Sequence, residues 1–275
     1  MSEFDCNLVS VIMPAFNASA TIRGSINSAL RQEHHSLEVL VADDGSTDAT
    51  RDVVLSLAAT DPRVRLLRTK DRSGPAGARN VAIAAASGRW IAFLDSDDVW
   101  HPAKLARQLR IARERAASLV YSGYWRVSED GCLAGRPVAV PPSLSYRQLL
   151  GNSAIATSTV LLDRRTLGTP SMDPGVGYDD FELWTRLLAG GAVAAGVDEP
   201  LMAYRVRLGS VSRRRVRMSR EVWKVIRERR RIPLLPACAC FASYSCRAAL
   251  KHHFGRPRFP AAGILPSELL GLLVS

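Results

Sequence analysis

Cysteine is scarce in this chain of 275 residues, and the five present, Cys6, Cys132, Cys238, Cys240 and Cys246, lack the paired spacing of a zinc site. Reduced, space-filling thiols are expected, with no metal role for Cys238 and Cys240. No Gly-x-Gly-x-x-Gly follows a strand-like run and no Walker-type lysine loop occurs, so neither a dinucleotide cofactor nor a P-loop is supported. A phosphate-bearing ligand would then have to be gripped through metal. Ser-His-Asp and Cys-His arrangements for covalent catalysis are missing as well. No uninterrupted apolar run approaches the roughly 20 residues of a membrane span. Glu3 and Asp5 stand where a signal peptide would be basic, and the first apolar run, Leu8 to Met13, is too short for one, so a cytoplasmic location is expected. Acidic residues are nearly absent from the last quarter: from Arg205 onward 16 Lys and Arg face three acids, a net +13, while residues 1–204 carry −2.

With 47% hydrophobic and 23% charged residues, the chain can bury a sizeable core. Leu8 to Ala15, Leu37 to Ala42, Val64 to Leu67 and Trp90 to Leu94 read as strands that are apolar throughout. Helices are expected between them, from a cap at Asn17 or Ser19 through about Gln32, over Ala49 to Ala59, and over Ala78 to Ala86 after a flexible Gly74-Pro75-Ala76-Gly77 loop. Such strands alternating with helices imply an α/β fold, a mostly parallel, Rossmann-like sheet with helices on both faces. Ligands of such sheets bind beyond the carboxyl ends of the strands.

Two acidic clusters fall there. Asp95, Asp97 and Asp98 crowd the end of the Trp90–Leu94 strand, and like charges this close raise one another's pKa unless a cation or donors offset them. Mg²⁺ or Mn²⁺ suits such oxygen ligands, taking one or two carboxylates and completing its shell with water and phosphate oxygens. The second cluster, Asp43-Asp44-Gly45-Ser46-Thr47-Asp48, ends the Leu37–Ala42 strand. Asp43 or Asp44 is an acceptor suited to a pyrimidine N3–H. Metal, phosphate and base together describe a nucleoside diphosphate.

Four motifs, Ser10-Val11-Ile12-Met13-Pro14-Ala15-Phe16-Asn17, the Asp43–Asp48 run, Gly77-Ala78-Arg79-Asn80 and Phe93-Leu94-Asp95-Ser96-Asp97-Asp98, resemble successive signatures of family-2 glycosyltransferases in order and spacing. The resemblance spans residues 8 to about 212. It implies the GT-A fold, with a nucleotide-binding half (about 1–100) merging into an acceptor-binding half (about 101–212), and sugar transfer from a nucleoside diphosphate donor with inversion. By motif, Asp44 is implied at the base, Asp95 at the ribose and neighbouring donor groups, and Asp97 at the metal. Pro14, Ala15, Phe16, Asn17, Arg79, Asn80 and Ser96 are the other donor-binding positions expected from the same motifs, and Asp98 is a neighbour rather than a ligand.

Asp179-Asp180-Phe181-Glu182-Leu183-Trp184 places acids in the first turn of an amphipathic helix, where negative charge is favoured in any case. The resemblance implies that the catalytic base is here, best matched by Asp180. Asp179 replaces the family's usual Glu, which leaves the choice between the two acids open. A single base suffices for an inverting displacement. After Ala203-Tyr204-Arg205, relatives often carry a His that this chain replaces with Arg207. A guanidinium cannot ligate metal but can bind phosphate bidentately, so Arg205 and Arg207 are candidates for the diphosphate, against an exposed loop beside the basic tail.

Residues 213–275 lie outside the resemblance and read as a helical, basic C-terminal extension. A helix is expected over Met218 to Arg231, with Met218, Val222, Val225 and Ile226 as a stripe and Trp223 beside it. Two readings stay open: the stripe and apolar Ile264 to Val274 meet the anionic face of a cytoplasmic membrane, making the protein peripheral, or they pack on the catalytic domain with the arginines solvated. Expected partners are a nucleotide-diphospho-sugar donor and a glycan or lipid-linked acceptor, in cell-surface polysaccharide synthesis. A nucleotidyltransferase making nucleotide sugars would show a glycine-rich basic loop after the first strand, unlike Pro14-Ala15-Phe16-Asn17. Nucleic acid is not expected, because strand-end carboxylates would repel its phosphates.

Overall fold

A computed structural model describes residues 5–131, 135, 137–152, 154–206, 211–253 and 266–273. Strands β1 (Asp5–Ala15), β2 (Leu37–Asp43), β3 (Val64–Arg68) and β4 (Gly88–Phe93) alternate with helices α1 (Ile22–Leu30), α2 (Thr50–Ala58) and α3 (Gly74–Ala84). After β5 (Val99–Trp100) come α4 (Lys104–Glu114), β6 (Leu119–Val127), α5 (Tyr146–Leu150), a 3₁₀ turn at Thr157–Thr159, β7 (Leu161–Asp163) and α6 (Arg164–Leu167). Helix α7 (Asp179–Ala189) and β8 (Ala194–Arg205) close the sheet, and α8 (Val211–Lys224), a π-helical segment (Val225–Arg229), α9 (Leu234–His253) and α10 (Ser267–Leu273) follow.

The sheet order is β3-β2-β1-β4-β7-β6-β8-β5. The first half is parallel throughout, with Ala15 opposite Asp43 and Ile12 opposite Phe93, so β1, β2 and β4 all end on one edge. In the second half β7 runs antiparallel to both β4 and β6, and β5 runs antiparallel to β8, while β6 and β8 are parallel. The antiparallel β4–β7 register, Trp90 with Asp163 and Ala92 with Leu161, brings the start of β7 to the end of β4. That single reversal delivers the Thr157–Thr159 turn to the acidic strand end.

Side chains alternate across the pleat, and each face has its own core. Val9, Val11, Met13, Val39, Val41 and Leu94 share one with α1 and α4 through Ile22, Ile26, Leu105 and Leu109. Ile12, Leu40, Ile91 and Phe93 share the other with α3, α7 and the C-terminal helices. Each large aliphatic side chain so buried is worth about 1.5–3 kcal/mol.

Several local expectations are corrected. Helix α1 begins after Thr21, not at a cap by Asn17 or Ser19. Asn17 instead adopts a left-handed φ of 48° and ties two loops together, its N–H donating to Ser46 Oγ and its Oδ1 accepting from Thr47 N. Gly74 to Gly77 form the first turn of α3 rather than a loop, because the Asp44 carboxylate accepts from the N–H groups of Ser73 and Gly74 and so caps the helix from outside, and Pro75 suits its first turn.

The C-terminal extension decides between the two readings of the apolar stripe. Val222, Val225 and Ile226 are fully buried in the core beside Phe181 and Trp184, and Trp223 meets Phe241 edge to face at 5.4 Å. Leu269, Leu272 and Leu273 of α10 are buried against Val99, Val127 and Ala203. Met218, at the head of the stripe, is 36% exposed, but Val222, Val225, Ile226 and these leucines cannot insert into a bilayer without unpacking the domain. Ile264, Leu265 and Val274 lie outside the described residues. Among the described residues no helix is long and apolar enough to cross a membrane.

Candidate active site

The sheet edge gathers three acidic groups. In the first, Asp43 is buried, and although burial would raise its carboxyl, donors from Ser46 and Arg51 outweigh that and hold it below the usual range. Asp44 Oδ1 accepts from Thr69 Oγ1 (2.9 Å), Ser73 N (2.8 Å) and Ser73 Oγ (3.2 Å), and Oδ2 from Gly74 N (2.8 Å). Asp44 therefore organises the loop between β3 and α3. Beside it Phe16, at the end of β1, is 37% exposed with the Arg72 guanidinium 3.9 Å above its ring. Pro14 and Ala15 pair with Ala42 and Asp43, and Ala15 O accepts from Asp44 N.

The second group follows β4. The Asp98 N–H closes the turn on Asp95 O, and the Asp98 carboxylate points inward, Oδ2 accepting from Ser158 Oγ at 2.6 Å and Oδ1 from Arg205 N at 3.2 Å. Burial, then repulsion from Asp97 and Asp95, pushes Asp98 well above the usual carboxylate range. Asp95, Ser96 and Asp97 remain half-buried at the edge. Ser158 Oγ also accepts from Asp95 N at 3.0 Å, so one hydroxyl holds both ends of the turn.

The third group opens α7. Asp180 Oδ2 accepts from Thr157 Oγ1 at 2.6 Å and Oδ1 from Phe181 N at 2.7 Å. Burial and the adjacent Asp179 push its carboxyl up to about 6, against the pull of Thr157, Arg79 and Phe181 N. A carboxyl poised there is ionised at neutral pH yet basic enough to take a proton. Arg79 joins the second and third groups: from α3 it donates through Nη2 to Asp95 at 2.7 Å and through Nη1 to Asp179 at 3.2 Å. It is 6% exposed, and its Nε has no partner among the described atoms.

Two expected ligand-binding side chains are committed to the protein itself. The Asn80 amide clasps the backbone of Met172, donating to its O at 2.7 Å and accepting from its N at 2.8 Å. Arg205 donates from Nε to Asp97 O, from Nη1 to Glu129 O and from Nη2 to Leu273 O. It fastens the acidic turn to the last helix instead of presenting a fork to phosphate. Arg207 lies outside the described residues.

The Thr157-Ser158-Thr159 turn has no signal in the sequence, although it touches Asp95, Asp98 and Asp180. Its backbone is held in turn by Trp100 Nε1 on Ser158 O and Gln108 Nε2 on Thr159 O. A run of small hydroxyl residues carries no periodicity, so only the strand reversal reveals it.

No group of three or more His, Cys, Asp or Glu side chains is arranged to hold a metal among the described residues. Asp97, half-buried at the sheet edge, is the carboxylate that the motif offers to a hard cation, which would take one protein oxygen and the rest of its shell from phosphate and water.

Residues 10–159 match the family model for glycosyl transferase family 2. The chain belongs to that family. It is 36% identical over 244 residues, 89% of this chain and 97% of the relative, to a Bacillus subtilis glycosyltransferase assigned to teichuronic acid biosynthesis, TuaG. It is 39% identical over 223 residues, 81% of this chain and 86% of the relative, to the Escherichia coli UDP-Glc:alpha-D-GlcNAc-diphosphoundecaprenol beta-1,3-glucosyltransferase WfgD. Among solved structures, the Pyrobaculum calidifontis mannosyltransferase PcManGT, in complex with GDP-Man and Mn²⁺, superimposes with a TM-score of 0.66 at 21% identity, covering 96% of this chain and 78% of that one. S. aureus TarS in complex with UDP-GlcNAc gives 0.65 at 19%, covering 91% and 74%. The chain is a glycosyltransferase of the GT-A fold, and the nucleotidyltransferase and nucleic-acid-binding alternatives fall away.

Proposed function

We propose that this glycosyltransferase moves a sugar from a UDP-sugar to a hydroxyl of a lipid-linked glycan, in one inverting displacement, during cell-surface polysaccharide synthesis at the cytoplasmic face of the membrane. The observation that carries the mechanism is the Arg79 bridge, one guanidinium that touches both Asp95 of the strand-end acids and Asp179 of the Asp179-Asp180 pair. The relatives named for teichuronic acid and for a diphosphoundecaprenol acceptor support the acceptor class.

In this reading the uracil meets Asp44 and Phe16. With three donors on Oδ1 and one on Oδ2, Asp44 keeps one Oδ2 lone pair for the ring N3–H. Asp95, oriented by Arg79 and Ser158, receives the ribose and donor hydroxyls. Asp97 would hold Mg²⁺ or Mn²⁺, which when bound neutralises charge developing on the departing diphosphate.

The acceptor hydroxyl attacks the anomeric carbon from the face opposite the leaving group. Its oxygen forms the new glycosidic bond, the bond from carbon to phosphate oxygen breaks with its electron pair leaving on the nucleoside diphosphate, and the hydroxyl proton passes to Asp180. Arg79 keeps Asp179 in its ion pair, which leaves Asp180 as the proton acceptor of the two.

Screening nucleotide sugars by release of nucleoside diphosphate, with a diphospho-lipid-linked saccharide as acceptor, tests the reading. Turnover with UDP-glucose or another UDP-sugar, lost in Asp180→Asn, is the expected result. Turnover confined to another nucleotide would overturn the base assignment, and equal turnover without the lipid-linked acceptor would overturn the acceptor.

A further inference from the structure

The stretch Ile232 to Cys246 contains no charged residue, yet it is not a core segment. It enters α9, whose inner face packs on the domain through buried Ala237 and Tyr244. The outer face is open: Leu234 is 57% and Leu235 84% exposed, and Cys238, Ala239, Ala242 and Cys246 are exposed after them. At 100° per residue, Leu235, Cys238, Ala239, Ala242 and Cys246 fall on one stripe, opposite Tyr244. Exposed leucines side by side, continued by an uncharged helix face, are unusual on a surface that meets only water.

Charge decides what covers this face. Arg227, Arg229, Arg230 and Arg231 precede the uncharged stretch and Arg247 follows it, with Glu228 as the one acid in these flanks. Arg231 and Arg247 are exposed. A second copy of the chain laid on this face would bring basic flanks against basic flanks. Arg229 and Arg230 are held in ion pairs with Asp173 and Glu182, so the cations this face offers outward are the exposed Arg231 and Arg247. An anionic bilayer surface offers the complement: headgroup phosphates for Arg231 and Arg247 and the acyl boundary for Leu234 and Leu235.

We propose that the outer face of α9, led by Leu234 and Leu235, is the surface through which this glycosyltransferase docks on an anionic phospholipid membrane. Val222, Val225 and Ile226 of α8 and the π-helical segment are not part of that surface, being buried in the core. The inner face of α9 connects docking to chemistry. Tyr244 meets Phe181 edge to face at 5.9 Å, and Phe181 stacks on Tyr178 at 5.3 Å and directly follows Asp180. A bilayer seated on α9 is therefore one helix thickness from the residues that flank the candidate base. The use of this arrangement rests on the lipid-linked acceptor proposed above; the docking itself does not.

The test is co-sedimentation of the full chain with vesicles of phosphatidylglycerol and phosphatidylcholine, against Leu234→Glu/Leu235→Glu and Arg231→Glu variants. Both leucines are exposed, so the double variant should keep its fold, checked by circular dichroism and by the unfolding midpoint. The expected result is binding that rises with phosphatidylglycerol content, weakened at least about tenfold in the double variant and made less salt-dependent in Arg231→Glu. Equal binding of the double variant and the parent, or no binding of the parent at low salt, would overturn the proposal. A dimer in sedimentation velocity that Leu235→Glu dissociates would also overturn it, by assigning the face to a second copy. Nucleotide-sugar turnover on a soluble acceptor is measured in parallel. Vesicle binding lost while that turnover persists supports docking by α9, and vesicle binding through α9 in a protein inactive on every nucleotide sugar would support docking while refuting the function proposed above.

Discussion

Thr157 donates its hydroxyl hydrogen to Asp180 at 2.6 Å, from a turn that the chain passes before β7 and 23 residues before the acid it serves. A donor to the ionised form lowers a carboxyl pKa, and here it works against burial and Asp179. Thr157→Val should therefore raise the acid limb of the kcat profile by about one pH unit, since a hydrogen bond to a charged group is worth roughly 1.5 kcal/mol. The pH dependence of kcat for both proteins checks this, and an unmoved limb would separate Thr157 from the base.

Asp180 must be ionised to take a proton, so turnover should rise with pH through about 6 and level above it. Asp180→Asn keeps the side-chain shape and cannot accept the proton. It is expected to bind donor normally and lose turnover by about 10²–10⁴-fold. If Asp179→Asn were the inactive variant and Asp180→Asn active, the two roles would be exchanged.

Arg79 is buried between two carboxylates, and removing it leaves both without their cation. Arg79→Met should cost about 3 kcal/mol of stability in urea unfolding, at the low end for a broken buried pair because Asp95 keeps 30% side-chain exposure. The same variant should move the acid limb upward, since Arg79 also pulls Asp180 down.

Asp97→Ala removes a half-buried carboxylate from a turn already crowded with acids, so the fold should tolerate it. The expected loss is in Mn²⁺ or Mg²⁺ dependence: calorimetric titration with UDP should show metal-enhanced binding for the parent and none for the variant. Unchanged enhancement would place the cation elsewhere.

Ile226 distinguishes the core from the membrane reading of the C-terminal stripe. It is fully buried, so Ile226→Ala should lower unfolding stability by about 2–5 kcal/mol and leave vesicle binding unchanged. Retained stability with weakened vesicle binding would reverse that assignment.

Strand runs such as Leu37–Ala42 and Trp90–Leu94 were legible in the sequence because a sheet covered on both faces needs residues that are apolar throughout, and this demand is local. The carboxylates at their ends were legible for the same reason: a charge directly after a buried strand must emerge at the sheet edge. The motifs carried family membership with them. What the chain order could not express was the reversal of β7, which pairs antiparallel with β4 and sets Thr157 and Ser158 among acids 60 residues before them and 23 after. The commitments of Asn80 to Met172 and of Arg205 to Asp97, Glu129 and Leu273 are likewise long-range, and a polar side chain of a motif reads the same whether it faces ligand or backbone. The basic tail shows the same limit. Its amphipathic period announced a buried face but not what would bury it, and only tertiary packing placed Val222, Val225 and Ile226 in the core while leaving Leu234 and Leu235 outside.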